Sequence, residues 1–126
     1  MSEKPEWLAA AERQMQGEML AGQRFIAEND PAYMEGLSAF LAGLFGRSDN
    51  LVSAQMREML ILAVQASSAN WDIVRSHIRR ALAIDVPPKM ILETLEIAGM
   101  AGGAGALYGG AAILGEELEA TGRSFE

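Results

Sequence analysis

Almost every segment of this chain repeats its apolar residues with the 3.6-residue period of a helix, and no stretch alternates apolar and polar side chains as a half-buried strand does. Helix punctuation falls at regular intervals along that pattern. Pro5 to Glu28 reads as a first helix, with Trp7, Ala11, Met15, Met19 and Ile26 near one face. Asn29-Asp30-Pro31 supplies a stop, an N-cap and a favoured first residue for a second helix to about Phe45, burying Met34, Leu37, Phe40, Leu41 and Leu44. Gly46-Arg47-Ser48-Asp49-Asn50 is a loop by composition. Ser53 caps a third helix through Ser67, whose centre, Met59-Leu60-Ile61-Leu62-Ala63-Val64, is apolar on all sides and predicts an interior position. A fourth helix spans Trp71 to about Ile84. Pro87-Pro88 opens a fifth to about Ala101, and Gly102-Gly103 leads into a sixth that ends before Thr121-Gly122. The expected fold class is all-α, with about six helices forming one domain over residues 1–126.

Charge and residue usage narrow the chemistry. Ten basic against seventeen acidic residues give a net charge of −7, which argues against nucleic acid or an anionic membrane as partner, because both reward positive surface. A local basic pocket for a small anion remains compatible with that balance. With no cysteine there is no disulfide, thiolate nucleophile or Cys-based metal site, and a single histidine excludes a multi-histidine site within one chain. No metal site is therefore expected. The opening Met1-Ser2-Glu3-Lys4-Pro5-Glu6 lacks the basic and then apolar blocks of a secretory signal, so a cytoplasmic location is expected. Ile97 to Leu114 carries no charge, but it is mostly Gly and Ala and is interrupted by Gly102-Gly103. It reads as two short buried helices rather than a membrane span. Small residues at four-residue spacing, Gly99/Gly103 and Gly105/Gly109, suit close helix approach, and the eight methionines read as adaptable core filler.

Two ionisable residues stand out. Glu58 lies near the start of the third helix and shares a stripe with Ile61, Leu62 and Gln65. A carboxylate in such company needs a partner, because desolvating its charge is costly. His77 falls on the apolar stripe of the fourth helix, with Ile73 four residues before and Ala81 four after, and Asn70 nearly on the same line. This face looks toward neighbours that could include Glu58.

Arg57-Glu58-Met59-Leu60, then His77 nineteen residues after Glu58, Val86-Pro87-Pro88 and Ala101-Gly102-Gly103-Ala104 together resemble the carboxymuconolactone decarboxylase and alkylhydroperoxidase D-like family. The resemblance runs from about Leu51 to Leu118. It implies the alkylhydroperoxidase D-like helical arrangement and a homo-oligomer, usually a trimer or hexamer. In the redox branch the two cysteines fall at Asn70 and Ile73, so dithiol peroxidase chemistry is lost here. Trp71-Asp72 and His77-Ile78-Arg79 look like the decarboxylase branch, which acts in aromatic degradation. Three departures stand against it: Ile73 where that branch tends to carry glutamate, Gln55 for a lysine, and Gly105 for a proline.

The resemblance implies a cofactor-free lyase acting on a small-molecule carboxylate or lactone. His77 would serve as general acid or base, since imidazole titrates near neutral pH. Glu58 would orient it or shuttle a proton, and Asn70, Trp71 and Arg80 would contact substrate. Arg79, 200° around the helix from His77, points away and is left to outer-face partners such as those near Asp72, or to another subunit. Arg80, three residues after His77, is the better anion ligand. Against these readings stand plain structural ones: a core histidine satisfied by one hydrogen bond, a carboxylate favoured by the helix N-terminus, and solvated arginines. The corresponding alternative function is a non-catalytic oligomeric scaffold or small-ligand binding protein.

Overall fold

The computed structural model describes residues 19–126, and among these it contains six helices and no strand. They are α1 (Ala21–Asn29), α2 (Pro31–Phe45), α3 (Ala54–Ser67), α4 (Trp71–Ala83), α5 (Pro88–Gly102) and α6 (Ala104–Thr121). The chain divides between Leu51 and Val52 into two compact units.

The first unit contains α1 and α2, joined at Asp30. The Asp30 side chain accepts the Tyr33 backbone N–H at 3.3 Å, and Pro31 takes the first helical position, where its missing N–H costs nothing. Ala27 and Met34 form its small core, with Met19 and Leu37 packed against them. The expected first helix does not run unbroken to Glu28, because Met19 and Leu20 are not helical and α1 starts at Ala21. The earlier part of that expectation, with Trp7, Ala11 and Met15, falls outside the described residues. Two expectations of burial fail on α2: Phe40 and Leu44 are exposed, and so is Ile26 on α1. The nine-residue α1 meets α2 through Ala27 and Met34.

The second unit is a four-helix bundle. Neighbours α3 and α4 run antiparallel, as do α5 and α6. Ser67 meets Gly102, and Thr94 Oγ1 meets Met59 Sδ, so α3 and α5 lie side by side in parallel. Leu62, Val74, Ile78, Ile91 and Leu95 are fully buried at its centre. The prediction of a wholly interior α3 is corrected. Glu58, Met59, Leu62 and Ala66 face the core, whereas Met56, Leu60 and Val64, one stripe at four-residue spacing, lie open. Methionine is likewise divided, with Met34 and Met59 buried but Met56, Met90 and Met100 exposed. Ile97, Met100 and Tyr108 are exposed too, so the two helices around Gly102-Gly103 are not buried throughout. Among the described residues no helix is long and apolar enough to cross a membrane.

Sequence punctuation positions these helices. The Ser53 hydroxyl accepts the Met56 N–H at 3.0 Å, as an N-cap should. Gly103 joins α5 to α6 at φ 108° and ψ 151°, a conformation open essentially to glycine alone. Three helices end with the paired hydrogen bonds of a Schellman motif. In α3, Asn70 N–H reaches Gln65 O and Ala69 N–H reaches Ala66 O. In α4, Val86 N–H reaches Ala81 O and Asp85 N–H reaches Leu82 O; in α6, Arg123 and Gly122 do the same. The left-handed position is glycine only in α6. Ala69 occupies it at φ 56° and Asp85 at φ 63°. A Cβ in that region costs about 1 kcal/mol or more, offset in part by the extra unfolded-state freedom of glycine. Ala69→Gly should therefore raise stability by about 0.5 kcal/mol, read as a higher urea midpoint at unchanged slope. A lower midpoint would contradict the assignment.

Candidate acid–base site between the third and fourth helices

The turn Ser68-Ala69-Asn70 folds α4 back along α3 and brings polar residues of the two helices together in rungs. Near the turn, Asn70 Nδ2 donates to Gln65 Oε1 at 2.6 Å. At the far end, Gln55 Nε2 donates to the Ile84 carbonyl at 2.9 Å, just past the end of α4. Between them, His77 Nδ1 and Glu58 Oε2 are 2.5 Å apart. With the carboxylate as acceptor, Nδ1 carries the hydrogen and Nε2 is left for other chemistry.

Both members of this pair are well shielded. The Glu58 side chain is 4 % exposed and that of His77 13 %. Arg57 Nε lies 3.9 Å from the other Glu58 oxygen, too far for a hydrogen bond but close enough for attraction. Arg80 is half-buried one turn beyond His77, and its Nε is fully buried with no hydrogen-bond partner among the described residues. Leaving a charged donor in that state costs more than the 1–3 kcal/mol typical of neutral groups. Burial pushes the Arg80 guanidinium below its ordinary range; Glu58 pulls it back up and Arg57 pushes it further down.

The chain matches the carboxymuconolactone decarboxylase family over residues 31–116. It belongs to that family. No curated protein and no solved structure matches it. The stretch matched to the carboxymuconolactone decarboxylase family begins earlier than the resemblance read from motifs and takes in α2. It contains Glu58, His77 and Arg80, and every rung of the α3–α4 hairpin.

Not all the residues expected at the site meet there. Asn70 is exposed at the start of α4, its amide group donated to Gln65. Seven residues of helix put it about 10 Å along the axis from His77. The Trp71 ring lies over α6, occupying the place where a Cβ on Gly109 would stand. Only Arg80 of the three expected substrate contacts neighbours Glu58. Among the described residues no three His, Asp or Glu side chains converge in the manner of a metal site.

A second polar cluster was not anticipated. Glu117 on α6 is buried, and its oxygens accept from Arg75 Nη1 and Arg79 Nε, each at 2.8 Å. Arg75 also reaches Glu116. Arg79 does point away from His77, as helical phase requires, but this partner sits on α6 rather than near Asp72. Burial by itself would raise the Glu117 carboxyl; hydrogen bonds from Arg79 and then Arg75 outweigh it and hold the group below the usual carboxylate range. The same bonds raise both guanidinium groups. A sequence signal existed: Glu117 falls seven residues after buried Gly110, hence on the inward line of α6.

Proposed function

We propose that this chain is a cytoplasmic, cofactor-free decarboxylase of a small carboxylated lactone-type metabolite, with His77 as the proton-transfer group and Glu58 as its orienting partner. The shielded 2.5 Å contact between them carries the reading. The whole chain, residues 1–126, is read as one functional domain, since the family match runs through the division at Leu51. A homo-oligomer, trimer or hexamer, is part of the proposal, supported by the open apolar residues Met56, Leu60, Val64, Ile97, Met100 and Tyr108.

The proposed chemistry balances without a cofactor. The bond from ring carbon to carboxylate breaks and carbon dioxide leaves. The electron pair left behind is delocalised into the conjugated lactone carbonyl. His77 Nε2–H then delivers a proton to the ring system, and the imidazole takes another from solvent. Throughout, Glu58 holds Nδ1–H in its hydrogen bond, which fixes the ring orientation and leaves Nε2 as the atom that exchanges the proton. Excluding water from both groups strengthens that attraction.

Incubating purified protein with carboxymuconolactone should change its ultraviolet absorbance as carbon dioxide is released. No turnover of this or related carboxylated lactones would count decisively against a decarboxylase. The competing reading, a scaffold or small-ligand binder, draws support from Ile73, which puts no acid one turn before His77. That reading predicts that His77→Ala alters stability or ligand affinity while no reaction is found.

A further inference from the structure

We propose that the Arg80 guanidinium is the carboxylate-binding donor of the His77–Glu58 site, gripping an acid group that the ligand keeps rather than one it loses. α4 carries three arginines, Arg75, Arg79 and Arg80, and two of them are accounted for: Arg75 and Arg79 both bond Glu117. Arg80 is the exception. Its Nε–H is buried without an acceptor among the described residues, although native proteins satisfy nearly all such donors. It lies three residues after His77, on the flank of the same helix face, and Glu58 is the acid whose charge acts on it. Glu58 already takes the His77 N–H on Oε2.

The geometry of the missing acceptor follows from the guanidinium fork. Nε–H and the adjacent Nη–H are parallel, and the planar group that matches both at once is a carboxylate. Such a ligand would be held one helical turn from the imidazole. A fixed cation on the departing carboxylate would stabilise it relative to the nearly neutral carbon dioxide it becomes, and so slow the reaction. The useful target is a second acid group. That half of the inference rests on the decarboxylase reading; the anion site itself does not.

The test keeps the two apart. The full chain, labelled with nitrogen-15, is titrated with succinate against sodium chloride at matched ionic strength, following arginine Nε–H resonances. One resonance, missing from the Arg80→Lys spectrum, should shift saturably with succinate, while those of Arg75 and Arg79 stay in place. The same shift should persist in His77→Gln, where no decarboxylation is possible. If the Arg80 signal does not move, or moves linearly together with that of exposed Arg47, the anion site is refuted. With a turned-over lactone, Arg80→Lys should raise KM about tenfold, far more than it lowers kcat. A higher kcat would place Arg80 on the departing group and overturn that assignment.

Discussion

Changing His77 to Gln is expected to reduce the proposed decarboxylation by about 10²–10⁴-fold, the range typical of a lost general acid or base. The effect should fall on kcat, because glutamine can still donate to Glu58 and preserve the packing of α3 against α4 but has no proton to transfer. Circular dichroism should remain that of the wild type. Glu58→Gln provides the complementary measurement: the ring keeps a neighbour but loses the carboxylate that holds Nδ1–H and orients it, so the rate should fall while His77 stays in place. Equal rates in wild type and His77→Gln, with both folded, would remove the imidazole from the chemistry and leave the hairpin as architecture.

The second large effect concerns stability. Replacing Arg75 and Arg79 together by Met strips Glu117 of both hydrogen-bond donors described above while its carboxylate remains buried. Breaking a buried pair from one side leaves an uncompensated charge and should cost about 3 kcal/mol at neutral pH. The pH dependence should also reverse. In the wild type the Glu117 carboxyl is held low, so its contribution is complete above the unfolded-chain value of about 4.3 and is lost as pH falls through the lower folded value. In the double variant burial acts unopposed and raises the carboxyl. The penalty is then absent in acid and grows as pH rises above about 4.3. Melting temperatures between roughly pH 3 and pH 7 would show it. Parallel curves for the two proteins would mean that Glu117 is not held by these arginines.

Local signals carried much of the architecture. Pro31, Ser53, Pro88 and the Gly102-Gly103 pair mark helix ends by their own chemistry, and each helix starts or stops within a residue or so of those marks. The Glu58–His77 contact was legible because helical phase puts both on inward stripes of consecutive helices. Burial of whole faces was less so. An apolar side chain reports only that it can be buried, not that a neighbour stands opposite, and Leu60, Val64 and Phe40 are exposed. The Glu117 cluster was hidden for another reason. Arg75 and Arg79 lie 42 and 38 residues before it, and Gly115-Glu116-Glu117-Leu118-Glu119 looks like a solvated acidic run. Asn70 shares the stripe of His77 but lies about two turns along it, a separation in height that phase alone does not report.

The two side chains on which the chemistry is placed are separated by 19 residues, all within a single helical hairpin closed by a three-residue turn. Bringing such near neighbours together loses less chain entropy than closing the longer arginine–Glu117 loops, and contacts of this range are among the quickest a polypeptide makes. Glu58 and His77 are thus expected to meet while the last helix is still undocked. On a ribosome, this candidate site would be drafted before the walls around it exist.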